Sequence, residues 1–162
     1  MFETVYLDTP VGFLMLVADH KAVTQIHFVD KLPENAVTRP DSMLLKKAIS
    51  QLQAYFAGDR MVFDFAIRAD GTDFQQRVWK ELIKIPFGTT VSYLDIAKRL
   101  GDEKCIRAAA TANGKNPIAI VIPCHRVIGT DGKLVGYAGG LWRKKILLQH
   151  ELALAKPAGL LF

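Results

Sequence analysis

Residues 122–129 read IPCHRVIG, a cysteine followed at once by a histidine and an arginine, in a 162-residue chain whose other thiol is Cys105. A thiol attacks only as its thiolate, so a nucleophilic cysteine needs a neighbouring base or a positive field to favour ionisation. His125 and Arg126 are of the right types. Side chains adjacent in sequence usually diverge, however, so a base contact from His125 would run through a bridging water. A relay of this kind takes a third member, normally an acid, to orient the imidazole. Glu151, after LLQH on an otherwise apolar helix face, is the best candidate. The competing reading is packing: cysteine is among the most buried residue types, Cys124 would then be inert, Glu151 a solvated helix end and His150 a surface or core residue.

Other chemistries find less support. No CxxC or HExxH spacing occurs and the four histidines are scattered, so no metal is expected. The N-terminus MFETVYLDTPVGFLMLVADH carries early acids and lacks the basic segment of a signal peptide, and no apolar run is long enough to span a membrane. A cytoplasmic protein without disulfides is expected. The net charge of +5 is unevenly spread: residues 1–72 hold seven Lys/Arg against nine Asp/Glu, residues 73–162 fourteen against seven. A basic half of this kind suits a nucleic-acid surface, and a solvated face would produce it too.

The elements that must position these residues follow from periodicity. TVYLDTPVGFLMLVADHKAVTQIHFVD alternates apolar and polar residues between turn signals, predicting two or three antiparallel strands. DSMLLKKAISQLQAYFAG predicts a helix capped by Asp41 or Ser42 and ended by Gly58, and MVFDFAIRA one more strand. DGTDF is a joint between two domains, 1–72 and 73–162. Beyond it FQQRVWKELIKI, SYLDIAKRL (capped by Ser92) and DEKCIRAAATANG predict three helices, the last two joined by a short glycine-containing turn. Such a pair is either a helix-turn-helix or an ordinary helical hairpin. LWRKKILLQHELALA closes the chain as a helix with Leu147, Leu148 and Leu152 on one side.

The strings FQQRVWKELIKIPFGTTVSYLDIAKRLG and NPIAIVIPCHRVIGTDGKLVGYAGGLWRKKILLQHE are similar to those of the O6-alkylguanine-DNA alkyltransferase family. The resemblance runs from about Phe74 to Glu151, and the Pro-Cys-His-Arg core in this context is highly specific. It implies an α+β protein: a small N-terminal α/β, ribonuclease H-like supporting domain with an antiparallel sheet, then a mostly helical, winged helix-turn-helix domain. The first 72 residues resemble the family only in their strand-helix-strand outline. The implied activity is DNA repair, in which an alkyl group moves irreversibly from O6-alkylguanine, and from O4-alkylthymine, to a cysteine after the base is flipped from the duplex. The implied partner is double-stranded DNA, bound through its minor groove by a monomer, with no cofactor and no membrane.

Residue by residue, the resemblance makes Cys124 the acceptor, His125 its water-mediated base, Glu151 the acid that polarises the histidine and Asn116 the brace of the turn beside the thiol. Tyr93 is implied as proton donor to the leaving purine and as the group pressing on the flipped nucleotide's phosphate. Arg107 matches the arginine that fills the vacated stack, with Ala108, Ala109 and Ala110 suited to the minor groove and Thr130 to a phosphate contact. GYAGG matches the wall of the base pocket, with Tyr137 on the base, Ala138 near the alkyl group, Gly139 beside them and Lys144 behind. Cys105 and Ile106 stand where small residues are usual, and Lys145 where an acid often follows the family lysine. A damage-marking protein without transfer would lack the acceptor cysteine, and a Cys-His hydrolase would leave Arg107 and the basic half without a role.

Overall fold

The computed structural model describes residues 1–155; the last residues of the expected 73–162 domain, 156–162, lie outside the described residues. The chain divides into two compact units, the first formed by Met1–Gly71 with Pro117–Val121 and the second by Thr72–Asn116 with the residues from Ile122 onward.

In the first unit β1 (Glu3–Thr9), β2 (Gly12–Ala18) and β3 (Val23–Val29) form one antiparallel sheet in sequence order. Thr9 pairs with Gly12, and Gly12 holds φ +97°, so the β1–β2 connection is a tight turn of the kind glycine permits. Strand periodicity sends Val5, Leu7, Leu14, Leu16 and Ile26 inward, where α1 (Met43–Phe56) contributes Leu45, Leu52 and Tyr55. Ser42 caps α1 by accepting from Leu45 N, and Gly58 follows it at φ +84°.

MVFDFAIRA does not form the expected strand. Only Ile67 bridges β3, opposite Val23, through Val23 N to Ala66 O and Arg68 N to Val23 O. The Gln51 amide binds the Asp64 backbone and carboxylate, and Phe63 and Phe65 pack as a ring pair, so side-chain bonds and packing replace a ladder. The rest of the β3 edge is taken by Ile26 N to Pro117 O and Ala119 N to Ile26 O. These bonds place residues 117–121, read from sequence as part of the second domain, within the first unit. Ile120 there holds φ +72°, a strained conformation for a β-branched residue, and full burial of its side chain retains it.

The second unit is mostly helical: α2 (Asp73–Ile83), α3 (Tyr93–Arg99), α4 (Ile106–Gly114) and α5 (Leu141–Ala155), with two short parallel strands β4 (Val91–Ser92) and β5 (Val127–Ile128). Thr72 and Ser92 open α2 and α3 with reciprocal capping boxes to Gln75 and Asp95. The third expected helix begins later than its sequence run, because Glu103–Cys105 is a 3-10 turn with Asp102 as cap and only Ile106 onward is α-helical. α3 and α4 thus form a helix-turn-helix, and Trp79 of α2 donates to Ala112 O to hold α4 from behind. The expected wing is small, a two-residue ladder followed by the Gly129–Lys133 turn. In α5 Leu147 and Leu148 are buried as expected, but Leu152 is exposed, and Arg143, Lys144 and Glu151 occupy the inner face instead. Among the described residues no helix is long and apolar enough to cross a membrane, and no group of three or more His, Cys, Asp or Glu side chains could hold a metal ion.

Candidate active site

The loop that carries Cys124 is built from both sides. Pro123 ends the apolar run and Cys124–Arg126 turns as a 3-10 segment into β5, with Cys124 6% exposed. The Asn116 amide, just beyond α4, donates to Ile122 O at 2.7 Å and to Cys124 Sγ at 3.1 Å. One side chain thereby shapes the turn and offers the sulfur a donor that favours the thiolate. Burial pushes the Cys124 thiol up; the Asn116 bond and the Lys144 ammonium pull it back towards ionisation.

His125 and Glu151 are buried beside it, both at 1% exposure or less. His125 Nε2 donates to Glu151 Oε2 at 2.7 Å. This bond keeps the imidazole proton on Nε2 and leaves Nδ1, which has no hydrogen-bond partner among the described residues, as a lone pair able to accept a proton. Burial holds His125 below its usual pKa and so neutral, with the Glu151 carboxylate acting in the opposite sense. Burial would raise the Glu151 carboxyl, but His125 and Arg126 together hold it well below the usual carboxylate range. Sequence adjacency did not expose the part played by Arg126. Its Nε and Nη2 donate to the two Glu151 oxygens at 2.7 and 3.1 Å and its Nη1 to Ile85 O at 2.7 Å. The arginine of Pro-Cys-His-Arg faces the acid rather than the thiol.

The segment 135–139 is held from α5 and α3. Lys144 Nζ donates to Val135 O at 2.9 Å and Gly136 O at 3.2 Å, and the Tyr93 hydroxyl to Val135 O at 3.1 Å. Burial lowers the Lys144 pKa to about 8, with the Cys124 charge opposing that fall. Burial and the Cys124 charge raise the Tyr93 phenol, keeping it protonated. Tyr137 is half-buried, Ala138 exposed and Gly139 buried. Arg143, which the sequence did not single out, donates to Gly139 O at 3.1 Å while stacking 4.5 Å over Trp142.

Arg107 and Ala108 stand exposed at the start of α4, Ala109 is buried and Ala110 half-buried. Thr130 is exposed on the Gly129–Lys133 turn, and Lys145 is exposed on α5. Cys105 and Ile106 are both half-buried at the α4 start. The structure therefore gathers Cys124, His125, Glu151, Asn116, Tyr93 and Lys144 into one connected site and leaves Arg107, Ala108 and Thr130 on the surface of the same unit.

Fold and site together define a buried cysteine set in a hydrogen-bonded network of asparagine, histidine, glutamate and arginine, carried by a helix-turn-helix unit. Comparison with known proteins agrees. Residues 1–69 match the model of the 6-O-methylguanine DNA methyltransferase ribonuclease-like domain, and residues 73–153 that of the 6-O-methylguanine DNA methyltransferase DNA binding domain. A methylated-DNA–protein-cysteine methyltransferase of Mycobacterium bovis is 47% identical over 156 residues, 95% of this chain and 94% of its own. The crystal structure of the Mycobacterium tuberculosis O6-methylguanine methyltransferase superposes with a TM-score of 0.86 at 44% identity, covering 98% of this chain and 96% of that one. The same organism's protein in complex with DNA gives 0.84 at 46% identity, over 96% and 95%. The chain belongs to the 6-O-methylguanine DNA methyltransferase family.

Proposed function

We propose that this chain repairs DNA by moving the alkyl group of O6-alkylguanine onto Cys124, once per molecule. The observation that carries this reading is the buried series Asn116, Cys124, His125, Glu151 and Arg126, in which an amide donor faces the sulfur and a carboxylate fixes the histidine tautomer. His125 Nδ1 takes the thiol proton through a water, and Asn116 and Lys144 stabilise the thiolate. The sulfur attacks the alkyl carbon in line with its bond to O6. The S–C bond forms, the C–O6 bond breaks, and its electron pair returns to the purine. Tyr93, kept as a phenol, stabilises that charge by hydrogen bonding, and the proton first taken from Cys124 ends on the purine ring. The product thioether is not cleaved by water or thiols, so the protein is consumed.

The lesion must leave the stack for its alkyl carbon to reach a thiol that is 6% exposed, at a cost of a few kcal/mol. Arg107 and the small residues of α4 enter the minor groove of duplex DNA and fill the vacated space, with Thr130 on a phosphate. Tyr137, Ala138 and Gly139 enclose the extruded base. The protein acts as a monomer in the cytoplasm. Intact mass with peptide mapping, after incubation with a duplex carrying one O6-methylguanine, tests the proposal. One methyl on Cys124, saturating at one per protein, is expected; unchanged mass with tight binding would mark a damage-binding protein, and unchanged mass without binding would reject the reading.

A further inference from the structure

An open groove between the C-terminal ends of α2 and α3 has no part in the chemistry above. It encloses about 400 Å³ and is lined by Arg77, Lys80, Glu81 and Lys84 on one side and by Arg99 and Leu100 on the other. All four cations are exposed. Lys84 pairs with Glu81 at 3.0 Å, and Arg77 Nη2 donates to Leu100 O at 2.9 Å. Arg77, Lys80 and Arg99 have no acid within ion-pair distance among the described residues.

Cations at helix C-termini have a structural use, because they offset the carbonyl end of the helix dipole, as Arg77 does at Leu100 O. That use does not consume the charge of the groove. The two helix ends supply about −0.5 each and Glu81 a full negative charge, so four cations leave an excess of about +2. Asp95 lies in the field of Arg99 and Lys98, and Lys98, outside the groove, offsets it. Like charges held side by side repel, so the arrangement favours an anion between them.

The groove and the exposed face of α4 lie on opposite sides of a packed layer. Trp79 of α2 is buried and donates to Ala112 O of α4, with Val78 and Leu82 buried beside it, whereas Arg77, Lys80 and Lys84 point outward. On α4, Ala109 and Ala112 are buried, and Arg107, Ala108 and Thr111 are exposed. Two packed helices set their outer faces about 20 Å apart. Duplex DNA held on α4 is stiff over about 150 base pairs and does not bend round to the groove.

We propose that this groove binds the phosphate backbone of a second DNA segment while α4 holds the first, so that the protein passes directly between segments as it searches for lesions. The inference rests on the reading above in taking α4 as the first contact. Duplex DNA suits the groove better than an acidic protein segment, because its charges recur about every 3.4 Å along each strand at fixed spacing, and the unit that carries the groove is the one matched to a DNA binding domain.

The test follows release of a fluorescent lesion-free duplex from the full chain by stopped flow, against rising concentrations of unlabelled duplex. In wild type the release rate should rise in proportion to competitor, because transfer through the groove is bimolecular, whereas release without a second site is independent of competitor. Arg77→Gln/Lys80→Gln/Arg99→Gln should lose this dependence. Its affinity for a single duplex and its methyl transfer from O6-methylguanine should stay within about twofold of wild type, since charges two Debye lengths from the α4 face are screened from it. Lys80→Gln/Arg99→Gln, which keeps the Arg77 bond to Leu100 O, is measured alongside and should lose most of the dependence; folding of both is checked by circular dichroism. A wild-type rate that is flat in competitor, or an unchanged dependence in the double variant, overturns the second site. Loss of binding of a fluorescent glutamate-rich peptide in the double variant, with the duplex dependence unchanged, overturns it as well and gives the groove to an acidic protein segment. Failure of wild type to bind the labelled duplex at all would reject the DNA-repair reading, and this inference with it.

Discussion

Replacing Glu151 with glutamine tests the relay most directly, because the change nearly preserves shape and removes one charge. Glu151 accepts from His125 Nε2 at 2.7 Å and from Arg126 Nε and Nη2 at 2.7 and 3.1 Å. In Glu151→Gln the Arg126 guanidinium stays buried, without its counter-charge and with the Ile85 carbonyl as the acceptor that remains unchanged. Breaking a buried ion pair in this way costs about 3–5 kcal/mol. At about 2–4 °C per kcal/mol for a protein of this size, the melting temperature falls by about 6–20 °C. The glutamine amide can also donate to Nε2, which moves the imidazole proton to Nδ1 and removes the base. A mis-set tautomer in an analogous relay lowers rates by about 10⁴, so methyl transfer should slow by about 10²–10⁴. Rapid-quench single-turnover kinetics, run well below the variant's melting temperature, measures this. Stability and chemistry separate in Arg126→Met/Glu151→Leu, where apolar replacement of both partners should restore much of the melting temperature but not the rate. A folded Glu151→Gln protein that transfers methyl within about threefold of wild type would refute the claim that this carboxylate sets up His125.

Three further outcomes are expected. Because burial holds the folded His125 below its usual 6.5, the neutral base persists in mild acid, and the acid limb of the transfer rate should lie below pH 6.5; a limb at or above that value would contradict the assignment. The same depression makes the unfolded chain bind more protons, so His125 contributes stability fully above pH 6.5 that is lost as pH falls below it, with the Glu151 contribution lost at still lower pH, below 4.5, in urea titrations across the acid range. Gly88→Ala should destabilise by about 2–4 kcal/mol in thermal or denaturant unfolding, because Gly88 holds φ +77° and an added Cβ would fall 2.2 Å from the Ala155 Cβ at the end of α5. Arg107→Ala should slow transfer from duplex DNA about 10- to 100-fold and affect the free O6-methylguanine base far less, since Arg107 is exposed on α4 away from the buried thiol; equal losses on both would place it in the chemistry instead.

Local signals in the sequence determined much of this protein. Strand alternation through residue 29 and the Ser42 and Ser92 caps are short-range features set by propensity and capping, and they form where the chain predicts them. Pro-Cys-His-Arg and the acid after LLQH were legible from their residue types as a candidate nucleophile and relay, with packing as the competing reading, and the acceptor role came from the family resemblance. Tertiary structure decided the rest. MVFDFAIRA has the composition of a strand, yet strand identity needs a partner edge, and Gln51 and the aromatic pair claimed its polar and apolar groups instead. Periodicity placed Leu152 on one side of the helix with Leu147 and Leu148, but Leu152 is exposed, and Arg143, Lys144 and Glu151 are buried on α5, held by partners outside the helix. The same reason hid Arg126: adjacency in the chain says which atoms are near along the backbone, while which acid an arginine meets is settled only when distant segments pack together.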